Sequence, residues 1–195
     1  AAAEPLGGID AGTEKEIKGM INSMISTREA DWLAAGAPDN PELILKLLEY
    51  SYSDDRKLSF RASWTLTKIS DKNPEIIIPH IPGMIERLDE TVNESTRRSF
   101  LRIISLRNIT LLSLKHHGIL ADHCFRALNS KLSAVAIKSY SMEIIYRLTL
   151  IYPELANELS ASINMLSGES REGIVARGRA ILGKLAGIIP DGKEN

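Results

Sequence analysis

Between Leu58 and Ile69 the chain places Leu58, Ala62, Leu66 and Ile69 on one helical face, at about 100° per residue. The pattern returns three more times. Its small member appears as Ala62, Ser99, Ser141 and Gly178, in steps of 37, 42 and 37 residues. Four residues on stand Leu66, Ile103, Ile145 and Leu182, and three further on Ile69, Leu106, Leu148 and Leu185. Helical patterns repeating at this length predict an all-α fold of stacked helical pairs, because each pair buries its apolar face only against its neighbours. The small residues let helix backbones approach where a larger side chain would overpack.

The predicted pairs are 41–52 with 55–70, 74–90 with 94–111, 118–129 with 131–151, and 153–166 with 170–187. Asn40-Pro41-Glu42 and Asn73-Pro74-Glu75 each read as cap, proline in the first turn and acid beside the helix N-terminus. Residues 1–12 read as a disordered start or a non-native remnant, 13–39 as capping helices, 40–187 as the repeats and 188–195 as a frayed tail. Within 13–39 one helix runs from Thr13 to about Ile25, and a second follows the Ser26/Glu29 capping-box spacing. Pro79 and Pro82 interrupt the 74–90 segment. Apolar residues continue through Ile81, Met84, Ile85 and Leu88, which favours one kinked helix over two short ones. Lys115-His116-His117-Gly118 marks the repeat boundary that lacks a proline.

Composition narrows the classes. The chain is 44% hydrophobic and 5% aromatic with a formal net charge of −1, so it has no bulk attraction to nucleic acid or membrane. A single cysteine, Cys124, precludes an internal disulfide and fits a reducing, cytoplasmic setting. No apolar run reaches membrane-spanning length and the first residues lack signal-peptide features.

Charge is nevertheless segregated. The second-helix windows 54–71, 94–107, 131–152 and 170–187 sum to +9, and the first-helix windows 41–53, 74–91, 117–130 and 153–169 to −7. Just before each small position stand Arg61, Arg98, Tyr140 and Arg177, and seven residues on Lys68, Ser105, Arg147 and Lys184. Trp64 shares this flank, and Arg97, Arg102 and Arg107 add charge to the second repeat. Arginine forks suit carboxylates or phosphates. The plainer reading is that these cations are solvated or pair with acids on neighbouring helices, and that Trp64 is core between repeats.

Other signals are weak. His116, His117, His123 and Cys124 lack the spacing of a zinc site, so no metal is expected. No phosphate-binding glycine loop, nucleophile elbow or paired-carboxylate signature occurs. Glu143 among cations reads as the i,i+4 partner of Arg147 before it reads as a general base.

The Leu58, Ala62, Leu66, Ile69 spacing, with Pro79 or Pro82 in a first helix, resembles the HEAT-repeat family over about residues 40–187. The resemblance implies a right-handed α-α superhelix of about four helical pairs plus capping helices, its second helices lining a concave surface. The family's frequent basic ladder position is occupied here by Ser59, Thr96, Lys138 and Val175, so rigidity must rest more on apolar packing. The implied function is a non-enzymatic interaction scaffold without cofactor, whose basic groove receives an acidic protein or peptide. Its candidate groove residues are Arg61, Trp64, Lys68, Arg98, Arg102, Tyr140, Arg147, Arg177 and Lys184. The alternative is nucleic-acid binding, as in the HEAT-like alkylpurine DNA glycosylases, with Trp64 or Tyr140 and Glu143 at the lesion. The chain is also similar to short bacterial HEAT-like proteins that carry an adenylosuccinate lyase label. That family's Ser-Ser-x-Met-Pro-x-Lys signature does not occur here.

Overall fold

A computed structural model describes residues 14–23, 26–166, 168 and 172–188, and every regular element among them is helical. The expected starting segment 1–12, the ends of the first helix at Thr13 and Ile25, and most of the tail lie outside the described residues. The chain divides into two compact units, Ala1–Ile103 and Ile104–Asn195.

The first unit is built on one helix. α1 (Glu14–Ser23), α2 (Thr27–Gly36), α3 (Pro41–Ser51) and α5 (Pro74–Ile77) all pack against α4 (Arg56–Lys72). The starts follow local chemistry. The Ser26 hydroxyl accepts from the Glu29 N–H at 3.4 Å while the Glu29 carboxylate accepts from the Ser26 N–H at 2.9 Å. The Asn40 side chain accepts from the Leu43 N–H ahead of Pro41. Asp55 accepts from the N–H groups of Lys57 and Leu58 to begin α4.

Leu58, Ala62, Leu66 and Ile69 are all buried, and so are Ser59, Ser63, Thr65, Thr67 and Ser70. Hydroxyls in this second set return to their own helix: Ser63 donates to the Phe60 carbonyl, Thr65 to that of Arg61 and Thr67 to that of Trp64. Satisfied this way, short polar side chains can be buried at little cost. α4 is therefore covered on nearly every side although its sequence reads as amphipathic.

The proline segment departs from the single kinked helix. It forms α5, a 3₁₀ turn over Ile78–His80, α6 (Ile81–Glu86) and a further 3₁₀ turn over Leu88–Glu90. Pro79 and Pro82 each remove a ladder donor and crowd the preceding turn, and two such losses three residues apart leave no continuous ladder. The apolar face survives: Ile77, Ile81, Met84, Ile85 and Leu88 are buried. α7 (Glu94–Ser105) stops well short of residue 111, and Leu106, assigned above to the repeated face, is 49% exposed beyond its end. At the position of the missing basic ladder the Thr96 hydroxyl donates to the Ser59 carbonyl. Asn93 Nδ2 donates to the Arg56 carbonyl and the Ser59 hydroxyl. Neutral hydrogen bonds thus join α7 to α4.

The second unit contains α8 (Leu114–Asn129), α9 (Val135–Thr149), α10 (Leu155–Leu166) and α11 (Glu172–Leu185). α8 and α9 pack together, and α9 also meets α10 and α11. Ser141 is fully buried, and a Cβ on Gly178 would stand 2.8 Å from Ile163 Cγ2, so both small positions mark tight approaches. Lys115-His116-His117-Gly118 is not a boundary turn. Ser113 caps α8 through the His116 N–H, so the helix already runs through these residues.

The long 42-residue step is taken up by the connector 106–113, and His117 holds that connector in place. Its Nε2 lies 2.7 Å from the Ile109 carbonyl and its Nδ1 2.8 Å from the Tyr152 hydroxyl. A carbonyl only accepts, so Nε2 carries a proton, and in the neutral ring Nδ1 accepts from the phenol. Arg147 adds a second tie, donating to the Arg107 carbonyl at 2.8 Å.

Candidate functional site

Because α1, α2, α3 and α5 enclose α4, only a narrow stripe of that helix meets solvent, and it carries Phe60, Trp64 and Lys68 at i, i+4 and i+8. The rings of Phe60 and Trp64 stack at 6.2 Å between centroids and 4° between planes. The Lys68 ammonium stands 5.6 Å from the Trp64 ring centroid. Trp64 is half-buried, not core, because its inner neighbours on α4 already fill the contact with adjacent helices. Phe60 is 39% exposed and was not singled out from the sequence, although its four-residue spacing from Trp64 is the usual signal for a same-face pair.

The surrounding charge is unevenly committed. The Arg61 guanidinium donates to the carbonyls of Ile21 and Asn22 at the end of α1, so it serves as a helix cap. Arg102 grips Asp71 with two bonds, at 2.9 and 3.2 Å. Lys68 and Lys72 share one carboxylate, Asp31, each at 3.9 Å. Lys57 and Arg98 are exposed. Of Arg61, Lys68, Arg98 and Arg102, only Arg102 is held closely by an acid among the described residues, so the stripe keeps a local surplus of positive charge.

In the second unit Arg147 and Lys184 are engaged by the unit's own side chains. In α9 the position of Trp64 is taken by Glu143 and that of Lys68 by Arg147, and these two pair at 3.2 Å. Lys184 lies over the Tyr146 ring at 5.0 Å. Tyr140 is half-buried and Arg177 exposed. Of the nine expected residues, Arg61, Trp64, Lys68, Arg98 and Arg102 belong to the first unit and Tyr140, Arg147, Arg177 and Lys184 to the second.

The histidine and cysteine cluster serves packing. His117, His123 and Cys124 are buried, and among the described residues no group of side chains is arranged to hold a metal ion. Burial pushes the Cys124 thiol up to about 12, against a smaller opposing effect of the nearby Ser141 hydroxyl, so the thiolate needed for reactivity is suppressed.

Repeated helical pairs, small residues at the helix crossings and one helix enclosed by its neighbours define an α-helical repeat scaffold. A family description matches residues 17–185, the HEAT repeat domain, and the chain belongs to that family. The match begins earlier than residue 40 and takes in most of α1 and all of α2. No curated protein and no solved structure matches the chain. None of the helices among the described residues is long and apolar enough to cross a membrane.

Proposed function

We propose that the protein is a non-enzymatic interaction module whose α4 stripe receives an acidic segment of a partner protein through an apolar or aromatic anchor. The observation that carries this reading is the stacked Phe60–Trp64 pair beside Lys68, on the solvent-facing stripe of α4. An exposed and a half-buried aromatic flanked by surplus cations combine the two ingredients of an interface hot spot, desolvatable area and charge steering. The commitment of Arg61 to backbone carbonyls and of Arg102 to Asp71 weighs against a phosphate-backbone surface, which needs several unengaged forks along a track. Nucleic acid is accordingly the lesser reading, as is a glycosylase centre: Glu143, its acid, already pairs with Arg147.

Trp32 and Trp64 are the two tryptophans of the chain, so a Trp32→Phe variant leaves one emitter at the stripe. Titrated with a glutamate-rich peptide carrying a central phenylalanine, its emission should shift to the blue, and the matching lysine-rich peptide should leave it unchanged. Equal responses to both peptides would refute the charge assignment. A response to single-stranded DNA that falls log-linearly with salt, with none to peptide, would transfer the surface to the nucleic-acid reading.

A further inference from the structure

The first unit holds a second concavity, away from the α4 stripe, between α3 and the broken proline segment. It has a volume of about 220 Å³ and is lined by Leu48, Tyr52, Pro79, His80, Gly83, Met84 and Arg87. Leu48, Pro79 and Met84 are apolar, while Tyr52, His80 and Arg87 carry every side-chain polar group of the lining. These three are donors or become donors on protonation. No described residue hydrogen-bonds the Tyr52 hydroxyl or the His80 ring.

Arg87 is fixed from two sides. Its guanidinium carbon lies 3.7 Å from the Tyr52 ring centroid, and its Nε donates to Glu90 at 2.6 Å. The Tyr52 ring is itself held edge-on by Phe100, with centroids 5.6 Å apart and planes at 70°. A clamped guanidinium whose Nε alone is engaged presents its two terminal nitrogens as a ready fork for a carboxylate. Burial, opposed by nearby Arg87, pushes the Tyr52 phenol up to about 12, so it stays a neutral donor at physiological pH. The cavity is smaller than the few hundred Å³ of sites for whole cofactors, which limits its occupant to a single short group.

We infer that this concavity is a binding site for a short apolar group ending in a carboxylate, its stem against Leu48 and Met84 and its head on the Arg87 fork with Tyr52 and His80. This site does not depend on the α4 stripe: none of its residues lies on α4 and its ligand differs. Gly83 makes it testable, because a Cβ added there meets no atom within 4 Å. A side chain at 83 therefore starts in open space from the lining of the cavity.

The test is an amide-resonance titration of the full chain at pH 7 with hexanoate, and with hexylamine as the cationic control. Hexanoate should shift the amides of His80, Gly83 and Arg87 saturably, and hexylamine should not. Arg87→Gln and Gly83→Leu should each weaken hexanoate binding at least tenfold, while Gly83→Leu retains the thermal midpoint of the parent. Overturning results are no saturable shift, an equal response to hexylamine, or undiminished binding by a folded Gly83→Leu variant. Hexanoate released by citrate, acetate or another short polar carboxylate as readily as by octanoate would also reject the apolar stem.

Discussion

α4 and α9 occupy the same place in the repeat and bury the same face, yet their flanks are opposites. On α4 an exposed phenylalanine, a tryptophan and a lysine stack in sequence. On α9 Ser139, Glu143 and Arg147 stand at the matching positions, and the acid and the base neutralise each other. A helix can thus keep the family's core pattern and carry either an aromatic stack or an ion pair on its flank. The choice lies at one residue, tryptophan or glutamate, four positions before the cation. The two helices share the core pattern and differ at that flank position.

The contrast can be broken most severely at the connector that anchors Arg147. His117→Ala strips the Ile109 carbonyl and the Tyr152 hydroxyl of their partner. It should cost about 3 kcal/mol in urea unfolding, the penalty for buried polar groups left unmatched. Tyr152→Phe removes only one of these bonds and should cost about 1 kcal/mol.

Alkaline titration sharpens the contrast between the units. Tyr52 and Cys124 both titrate near 12 when folded, above their ordinary values of 10.0 and 9.0. The unfolded chain therefore loses these protons first. The stability they supply is intact below about pH 9 and drains away as pH rises towards 12. Cys124→Ala should flatten the pH 9–11 part of that decline by about 2 kcal/mol, and Tyr52→Phe should flatten only the part above pH 10. Chemical-denaturation midpoints at half-unit steps of pH would show it.

Cation removal probes the flanks themselves. Arg147→Met deletes both the Glu143 pair and the bond to the Arg107 carbonyl and should cost about 1.5 kcal/mol. Lys68→Met deletes a long, half-exposed pair with Asp31 and should change stability by less than about 0.5 kcal/mol. Equal costs would mean that the two flanks are alike after all.

Much of this was legible in the sequence and some of it was not, for definite reasons. The spacing from Leu58 to Ile69 identified the buried face of α4, because packing against neighbours enforces a 3.6-residue period. The same spacing overran at Leu106, since the pattern registers apolar side chains and is blind to where the backbone ladder ends. Pro79 and Pro82 are plain in the sequence, but the continuing apolar face hides that their joint loss of donors ends the ladder. His117 looked like turn punctuation because its partners, Ile109 and Tyr152, are distant or backbone. The basic row was visible as charge. That Arg61 caps α1 and Arg102 holds Asp71 depends on tertiary contacts that no local spacing encodes.

The most direct measurement converts one flank into the other. Trp64→Glu gives α4 the glutamate-to-cation spacing of α9, placing an acid four residues before Lys68, and should leave urea stability within about 1 kcal/mol of the parent. Binding of a fluorescein-labelled, glutamate-rich peptide with a central phenylalanine should be followed by anisotropy for both proteins. A loss of at least tenfold in affinity, with Glu143→Gln unchanged, is the predicted result. Undiminished binding by a folded Trp64→Glu protein would contradict the assignment of α4 as the partner surface.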